Sequence, residues 1–180
     1  RLMSRRYSTE NYRQLIEYIR LKDSSAGIGA DVIVGFPGET EVEFDETYAF
    51  LVDLPVSYLH VFTYSERPLT PAAKSSGRVE PALRHERNER LRMLDQKKRH
   101  FFYSKFIGCT LPVLYETKNE AGNVGGFTSN YIRVKIKTEE ILTNQIVPTL
   151  IEKVYEDHCE GVVIENSLRI DTIQYSAITV

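Results

Sequence analysis

The sequence predicts two fold classes in succession. An α/β part with a parallel sheet comes first, and a long helix joins it to a small all-β barrel of OB-like size. Three observations predict this. Helical and strand-like segments alternate through the first third of the chain, as right-handed βα crossovers require. A long polar helical pattern follows Pro81 and ends at Gly108. From Thr110 onward, short β-rich segments are separated by turn signals, the pattern of a small closed barrel. The expected division is 1–78 for the α/β part, 79–107 for the connecting helix and 108–180 for the barrel.

The α/β part is organised around Asp31-Val-Ile-Val-Gly-Phe-Pro-Gly-Glu-Thr40. Val32, Ile33 and Val34 form a β-branched run suited to a parallel strand buried on both faces. Gly35, Pro37 and Gly38 then force a turn, since glycine admits positive φ and proline fixes its own. Thr40 and Glu43 form a capping box that opens a helix. Such strand ends are where open α/β and barrel folds place ligands, although a turn that only packs has the same local sequence.

The other elements follow in order. Residues 9–21 read as an amphipathic helix with Tyr12, Leu15, Ile16 and Ile19 on one face and Ser8 or Thr9 as its cap. Residues 28–34 and 57–64 are strands, with a helix over 41–53 between them that Pro55 stops. Two strands do not make a stable sheet alone, so further strands are expected upstream or from a neighbouring chain. Residues 65–78 form a loop long enough to suggest a functional role. The helix after Pro81 has a sparse apolar stripe (Leu83, Leu91, Leu94, Phe101, Phe102) and many cations, Arg84, Arg87 and Arg90 among them. Either a solvated face with intrahelical ion pairs or a phosphate-facing surface would account for them.

In the barrel, strands are expected at 110–116, 126–137, 146–155 and 161–165, with a fifth at 168–175. Asn119–Gly126 reads as a turn cluster, and Pro112 and Pro148 as edge or bulge positions. Over 126–137 the residues alternate. Ile132, Val134 and Ile136 point inward, while Phe127, Tyr131, Arg133, Lys135 and Lys137 form an outward aromatic and basic row. Rows of this kind stack bases and neutralise phosphates. The region as a whole is acidic, with six Lys/Arg against ten Asp/Glu from residue 108 onward, so any RNA contact has to be local.

Composition sets bounds on function. The chain has 180 residues, is 42% hydrophobic and 27% charged, and carries a formal net charge of −2, which gives no global pull toward nucleic acid. No apolar run approaches a membrane span and no signal peptide is visible, so a cytoplasmic protein without membrane contact is expected. The two cysteines, Cys109 and Cys159, stand 50 positions apart and read as small core residues, with no zinc or iron–sulfur motif. The four histidines show no ligand spacing. His60, mid-strand in a half-barrel, is the one placed to line a site.

In their order and spacing, four segments together resemble the radical-SAM methylthiotransferases. They are Met3-x-Arg5-Arg6-Tyr7, the 31–40 segment, Leu59-His60-Val61-Phe62-x-Tyr64-Ser65-x-Arg67-x-x-Thr70-x-Ala72-Ala73, and Asn130-Tyr131-Ile132-x-Val134. The Leu-His-Val-Phe version is most similar to the threonylcarbamoyladenosine tRNA branch. The resemblance implies the last βα units of a partial (β/α) barrel plus a TRAM β-barrel, as the C-terminal part of a longer polypeptide. It implies an enzyme that uses S-adenosylmethionine and two 4Fe-4S clusters to add a methylthio group to carbon 2 of N6-threonylcarbamoyladenosine beside the anticodon of tRNA. The isopentenyladenosine and ribosomal-protein branches, and a non-catalytic RNA-binding module, are the alternatives.

By the same resemblance, Arg6, Ile33, Gly35, Glu39 and His60 lie on the S-adenosylmethionine side. Phe127, Asn130, Tyr131, Arg133 and Lys135 contact the anticodon stem-loop. Three departures stand out. The C-x-x-x-C-x-x-C cluster motif is absent, so no metal ligands or catalytic residues are expected here and this segment alone is expected to be inactive. The common G-x-I-x-G-x-x-E pattern has Asp31 for its first glycine and its glutamate one place late, at Glu39. Leu69 stands where the family often has glycine.

Overall fold

Gly29–Val34 (β1) and Tyr58–Thr63 (β2) pair in parallel, from Gly29 opposite Tyr58 to Val34 opposite Thr63. This is the arrangement the alternating pattern predicts. The computed structural model describes residues 7–74, 76–118, 123–164 and 170–171. Arg6, with most of the Met3–Tyr7 segment, lies outside the described residues. The chain divides into two compact units at Lys98/Arg99.

In the first unit, Thr9–Lys22 (α1) starts at Ser8, whose side chain accepts from the Asn11 amide. Glu41–Asp53 (α2) starts at Thr40 through the expected box. Thr40 Oγ1 accepts from the Glu43 amide at 3.2 Å, and Glu43 Oε2 accepts from the Thr40 amide at 2.8 Å. The core joins Ile16, Ala30, Val32, Val34, Phe44, Leu51, Leu54 and Leu59 to Leu91 and Leu94 of Pro81–Ser104 (α3). Burial alternates along β1, correcting the expectation of a strand covered on both faces. Val32 and Val34 are buried against the helices, while Asp31 and Ile33 face outward. Period-two geometry puts neighbouring residues on opposite faces, and only one face of this pair is packed.

Two cations of α3 are a second correction. Arg84 and Arg87 are 5% and 1% exposed and reach carboxylates far away in sequence, rather than pairing along their own helix or facing solvent. Lys98 Nζ donates to the carbonyls of Val52 and Leu54, supplying a cation at the end of α2, which has none in its own last turn. In the apolar stripe, Phe101 is exposed while Phe102 is buried.

The second unit is a closed five-stranded barrel. Thr110–Lys118 (β3), Asn123–Thr128 (β4), Arg133–Lys137 (β5), Gln145–Val154 (β6) and Cys159–Val163 (β7) run in the order β3-β4-β5-β7-β6, and a β3–β6 pairing closes the ring. The β5–β7 pairing is parallel and the others are antiparallel. The fifth expected strand is described only at Ile170–Asp171 (β8), which pairs with Gln145 and Ile146 at the start of β6. Phe102, Tyr103 and Phe106 pack on the barrel core of Val113, Tyr115, Val124, Ile132, Val134, Ile136, Val147, Ile151 and Cys159. Tyr115 Oη and Thr149 Oγ1 satisfy one another inside this core at 2.9 Å, and burial pushes the phenol up to about 12.

Three barrel expectations change. The 126–137 segment is two strands, because residues 129–131 turn back on themselves. Of the expected 119–126 turn cluster, Asn123–Gly126 is strand. Gly126 belongs there because a Cβ would collide with the β3 backbone at Leu114 and Tyr115. Pro112 and Pro148 lie opposite each other on β3 and β6, two strands of the closed ring. As a non-hydrogen-bonded pair they cost no bond between these strands. Of the cysteines, Cys159 is buried as expected, but Cys109, between α3 and β3, is exposed.

Candidate functional site

The strand-end turn of the first unit is built largely from its own residues. Gly35 and Gly38 adopt φ of +76° and +88°, the left-handed region that favours glycine. Glu39 Oε2 accepts from the Gly35 amide at 2.8 Å and from Arg87 at 2.7 Å. The Gly38 amide donates to the Gly77 carbonyl at 2.7 Å, tying the long loop to the turn. Arg84 crosses below, donating to the carbonyls of Val79 and Tyr64 and to Glu66. A Cβ at Gly35 would strike the Arg84 side chain. Its hydrogen bonding to Arg84 drives Glu66 down to about 2.

Of the residues expected on the cofactor side, the structure brings Ile33 and His60 to one face. Asp31 pairs with His60 and Ile33 with Phe62, and all four are exposed, at the strand parity opposite that of the buried Val32 and Leu59. Ile33 is 37% and Phe62 is 52% exposed, so this face is apolar at one end. The ring of His60 meets that of Tyr58 edge-on, with centroids 5.1 Å apart. Beside His60, a groove of about 340 Å³ runs between β2 and α3, lined by Phe62, Arg92, Asp95 and Gln96. Gly35 and Glu39 serve the turn. The sequence reading missed Phe62, which strand parity with His60 could have found. Among the described residues, no three His, Cys, Asp or Glu side chains are placed to hold a metal ion.

The second site lies on the barrel. Thr128 and Ile132 bracket a three-residue hairpin loop. The Thr128 amide donates to the Ile132 carbonyl at 3.0 Å, and Thr128 Oγ1 accepts from the Ile132 amide at 3.0 Å. Thr128 Oγ1 also donates to Asn130 Oδ1 at 2.5 Å, so Asn130 shapes the loop. Tyr131 closes the loop with φ +65°, a place usually given to glycine or asparagine. Its ring is 65% exposed and lies 6.4 Å from that of Phe127.

The strand break does not scatter the expected row. Phe127 on β4 is directly opposite Arg133 on β5, so the row folds into a patch across the hairpin. Ile132, Val134 and Ile136 are buried on the other face, as alternation predicts. From below, the buried Tyr103 holds the patch through its hydroxyl, which donates to the Tyr131 carbonyl at 3.5 Å and accepts from the Arg133 amide at 3.4 Å. Arg133 and Lys135 both reach one carboxylate oxygen of Asp157, at 3.3 Å and 3.4 Å. Tyr103 and Asp157 were missed, and no local signal marks either, since both act across long sequence separations.

The architecture defines the class: a parallel βα unit followed by a closed OB-like barrel. Sequence comparison then supplies the family. No family model matches the chain. It is 42% identical over 134 residues to threonylcarbamoyladenosine tRNA methylthiotransferase MtaB of Aquifex aeolicus (strain VF5), covering 74% of this chain and 32% of that protein. To the MtaB of Bacillus subtilis (strain 168) it is 34% identical over 163 residues, covering 88% of this chain and 36% of that protein. To tRNA-2-methylthio-N(6)-dimethylallyladenosine synthase of Ehrlichia ruminantium (strain Gardel) it is 32% identical over 166 residues, covering 91% and 37%. By sequence the chain belongs to the tRNA methylthiotransferase family, and it spans about a third of the length of the curated relatives it matches.

Proposed function

We propose that the chain is the C-terminal part of a radical-SAM tRNA methylthiotransferase and that its barrel holds the anticodon stem-loop while the rest of the polypeptide performs the chemistry. The observation that carries the RNA reading is the hairpin patch. Phe127 and Tyr131 are exposed rings, Arg133 and Lys135 stand beside them, and the backbone beneath is pinned by Tyr103. Exposed rings on a rigid strand surface stack unpaired bases, and adjacent cations meet the phosphates.

The modified base proposed is N6-threonylcarbamoyladenosine. The 42% identity to the Aquifex MtaB, and the Leu59-His60-Val61-Phe62 segment, support that branch over the dimethylallyladenosine one. In the complete protein, bound S-adenosylmethionine and the iron–sulfur clusters would supply the radical and the sulfur chemistry at carbon 2. The described residues do not fit the clusters, since no three ligands converge, so both clusters are assigned to the rest of the polypeptide. The outward face of β1 and β2 fits an adenosine, with Ile33 and Phe62 as a flat apolar surface and His60 at its polar end. Glu39 serves this site indirectly, by holding the Gly35 turn. No helix among the described residues is long and apolar enough to cross a membrane.

The test has two arms. The 180-residue chain should bind an anticodon stem-loop RNA with an affinity that falls as salt rises, and Tyr131→Ala with Arg133→Ala should abolish that binding. Equal affinity in the double variant would overturn the RNA reading. In cells lacking their own enzyme, the complete polypeptide should restore the 2-methylthio group on threonylcarbamoyladenosine, read by mass spectrometry of tRNA nucleosides, and the 180-residue chain alone should not. Restoration on the dimethylallyl base instead would reassign the branch.

A further inference from the structure

The turn between β6 and β7, residues 155–158, carries two rings and two carboxylates, Glu156 and Asp157, beside the hairpin patch. The Tyr155 amide donates to the His158 carbonyl at 2.8 Å, closing the turn. The two rings lie face to face, with centroids 4.9 Å apart and planes 12° from parallel. Tyr155 remains 44% exposed, and its hydroxyl donates to Glu160 at 3.0 Å, which fixes the ring. An exposed tyrosine backed by a second ring and anchored at its hydroxyl is a rigid platform for another π-face.

Asp157 links this turn to the patch. One of its oxygens meets His158 Nδ1 at 2.6 Å, and the other lies 3.3 Å from Arg133 and 3.4 Å from Lys135. The bond from His158, with Lys135 nearby, holds the Asp157 carboxyl below the usual carboxylate range, so it stays ionised. Glu156 is exposed in the same turn, and Lys153 and Glu160 stand 3.8 Å apart at this edge. Arg133 and Lys135 therefore converge on one anionic oxygen. Both distances exceed the about 2.7–2.9 Å of tight charge-assisted bonds, so the two cations hold the internal anion loosely, although His158 holds it closely. Along the surface the order is Tyr131 and Phe127, then the two cations on an anion, then His158 and Tyr155. Base, phosphate, base is the matching order along a single strand.

We propose that the β6–β7 turn is the second half of the RNA site. Tyr155, backed by His158, stacks an unpaired base, and Arg133 and Lys135 exchange Asp157 for the adjoining phosphate. The proposal rests on the reading of the barrel as an RNA holder. It adds a second stacking position and an internal carboxylate that competes with RNA for the same two cations.

The experiment measures binding of the 180-residue chain to an anticodon stem-loop RNA across a salt series. Tyr155→Ala should weaken binding about tenfold without changing the salt slope, because stacking releases no counterions, and Tyr155→Phe should keep most of the affinity. Asp157→Asn should tighten binding several-fold, a gain that misfolding cannot produce. If Tyr131→Ala with Arg133→Ala abolishes binding while Tyr155→Ala and Asp157→Asn bind like the unaltered chain, the proposal is overturned and the barrel reading stands. If the unaltered chain shows no salt-sensitive binding, both fall together.

Discussion

Arginine does opposite work in the two units. On α3, Arg87 is 1% exposed and clamps Glu39 at 2.7 Å and Glu41 at 2.9 Å, while Arg90 joins Glu41 to Asp45. Arg84 is spent on two carbonyls and Glu66. On the barrel, Arg133 and Lys135 are 47% and 34% exposed at the side chain and share one carboxylate at longer range. The helix has more cations, but those at its N-terminal end are neutralised by the turn they hold. The strand has few, and they remain at the surface. What separates a phosphate-binding surface from an internal clamp is where the carboxylates lie, not how many basic residues a segment contains.

The largest effect follows from that contrast. Arg87→Met should destabilise the first unit by about 3 kcal/mol, because it leaves Glu39, 15% exposed at its side chain, without its buried partner. Arg133→Ala and Lys135→Ala should each change stability by less than about 0.5 kcal/mol, as exposed pairs do. Urea denaturation of the three variants checks both halves. A loss at Arg87 as small as that at Arg133 would mean the clamp is not structural, and the contrast between the units would disappear.

Local signals carried much of the fold, and long-range pairings did not show. The Thr40–Glu43 box, the positive φ at Gly35 and Gly38, and the inward parity of Ile132, Val134 and Ile136 all depend on neighbours within a few residues. The partner of Arg87 lies 48 positions earlier, where its sequence neighbours suggested a partner on the same helix. The break at Tyr131 was hidden because tyrosine is an ordinary strand residue, and only the Thr128 bonds and the Tyr103 hydroxyl hold it in the left-handed region. The two prolines looked like edge markers because nothing in the sequence shows that they face each other. On the barrel, the row was legible by parity. Its continuation through Asp157 was not, since that needs the parallel β5–β7 pairing to bring the turn alongside.

A middle-sized effect concerns acid. Glu66 ionises at about 2 in the folded chain against an ordinary 4.5, chiefly through its hydrogen bond from Arg84. A depressed folded value means that its contribution to stability is complete above 4.5 and is lost as pH falls through the window down to about 2. Glu66→Gln should therefore flatten the acid limb of the stability curve in that window and leave the barrel unaffected, since the carboxylate serves only the first unit. Denaturant melts at pH 5, 4 and 3, followed by a probe in each unit, measure this. An unchanged acid limb would show that Arg84 is satisfied by the Val79 and Tyr64 carbonyls alone.

The smallest effect compares two strained residues, one in each unit. Leu69 has φ +70° and is 95% exposed, and the Thr70 amide donates back to the Arg67 carbonyl. With Pro68 second and a left-handed residue third, this is a type II turn, whose third place suits glycine. Leu69→Gly should remove about 1 kcal/mol of strain and give back about 0.5–1 kcal/mol to the freer unfolded chain, a net gain of a few tenths at most. Tyr131, with φ +65°, is strained in the same sense, so Tyr131→Gly should move stability just as little. RNA affinity separates them. Leu69→Gly should bind the stem-loop like the unaltered chain, because its side chain touches nothing the patch uses, while Tyr131→Gly should bind weakly despite its relaxed backbone. Equal binding by the two variants would mean that the strain at Tyr131 is, like that at Leu69, a feature of the turn and not of the site.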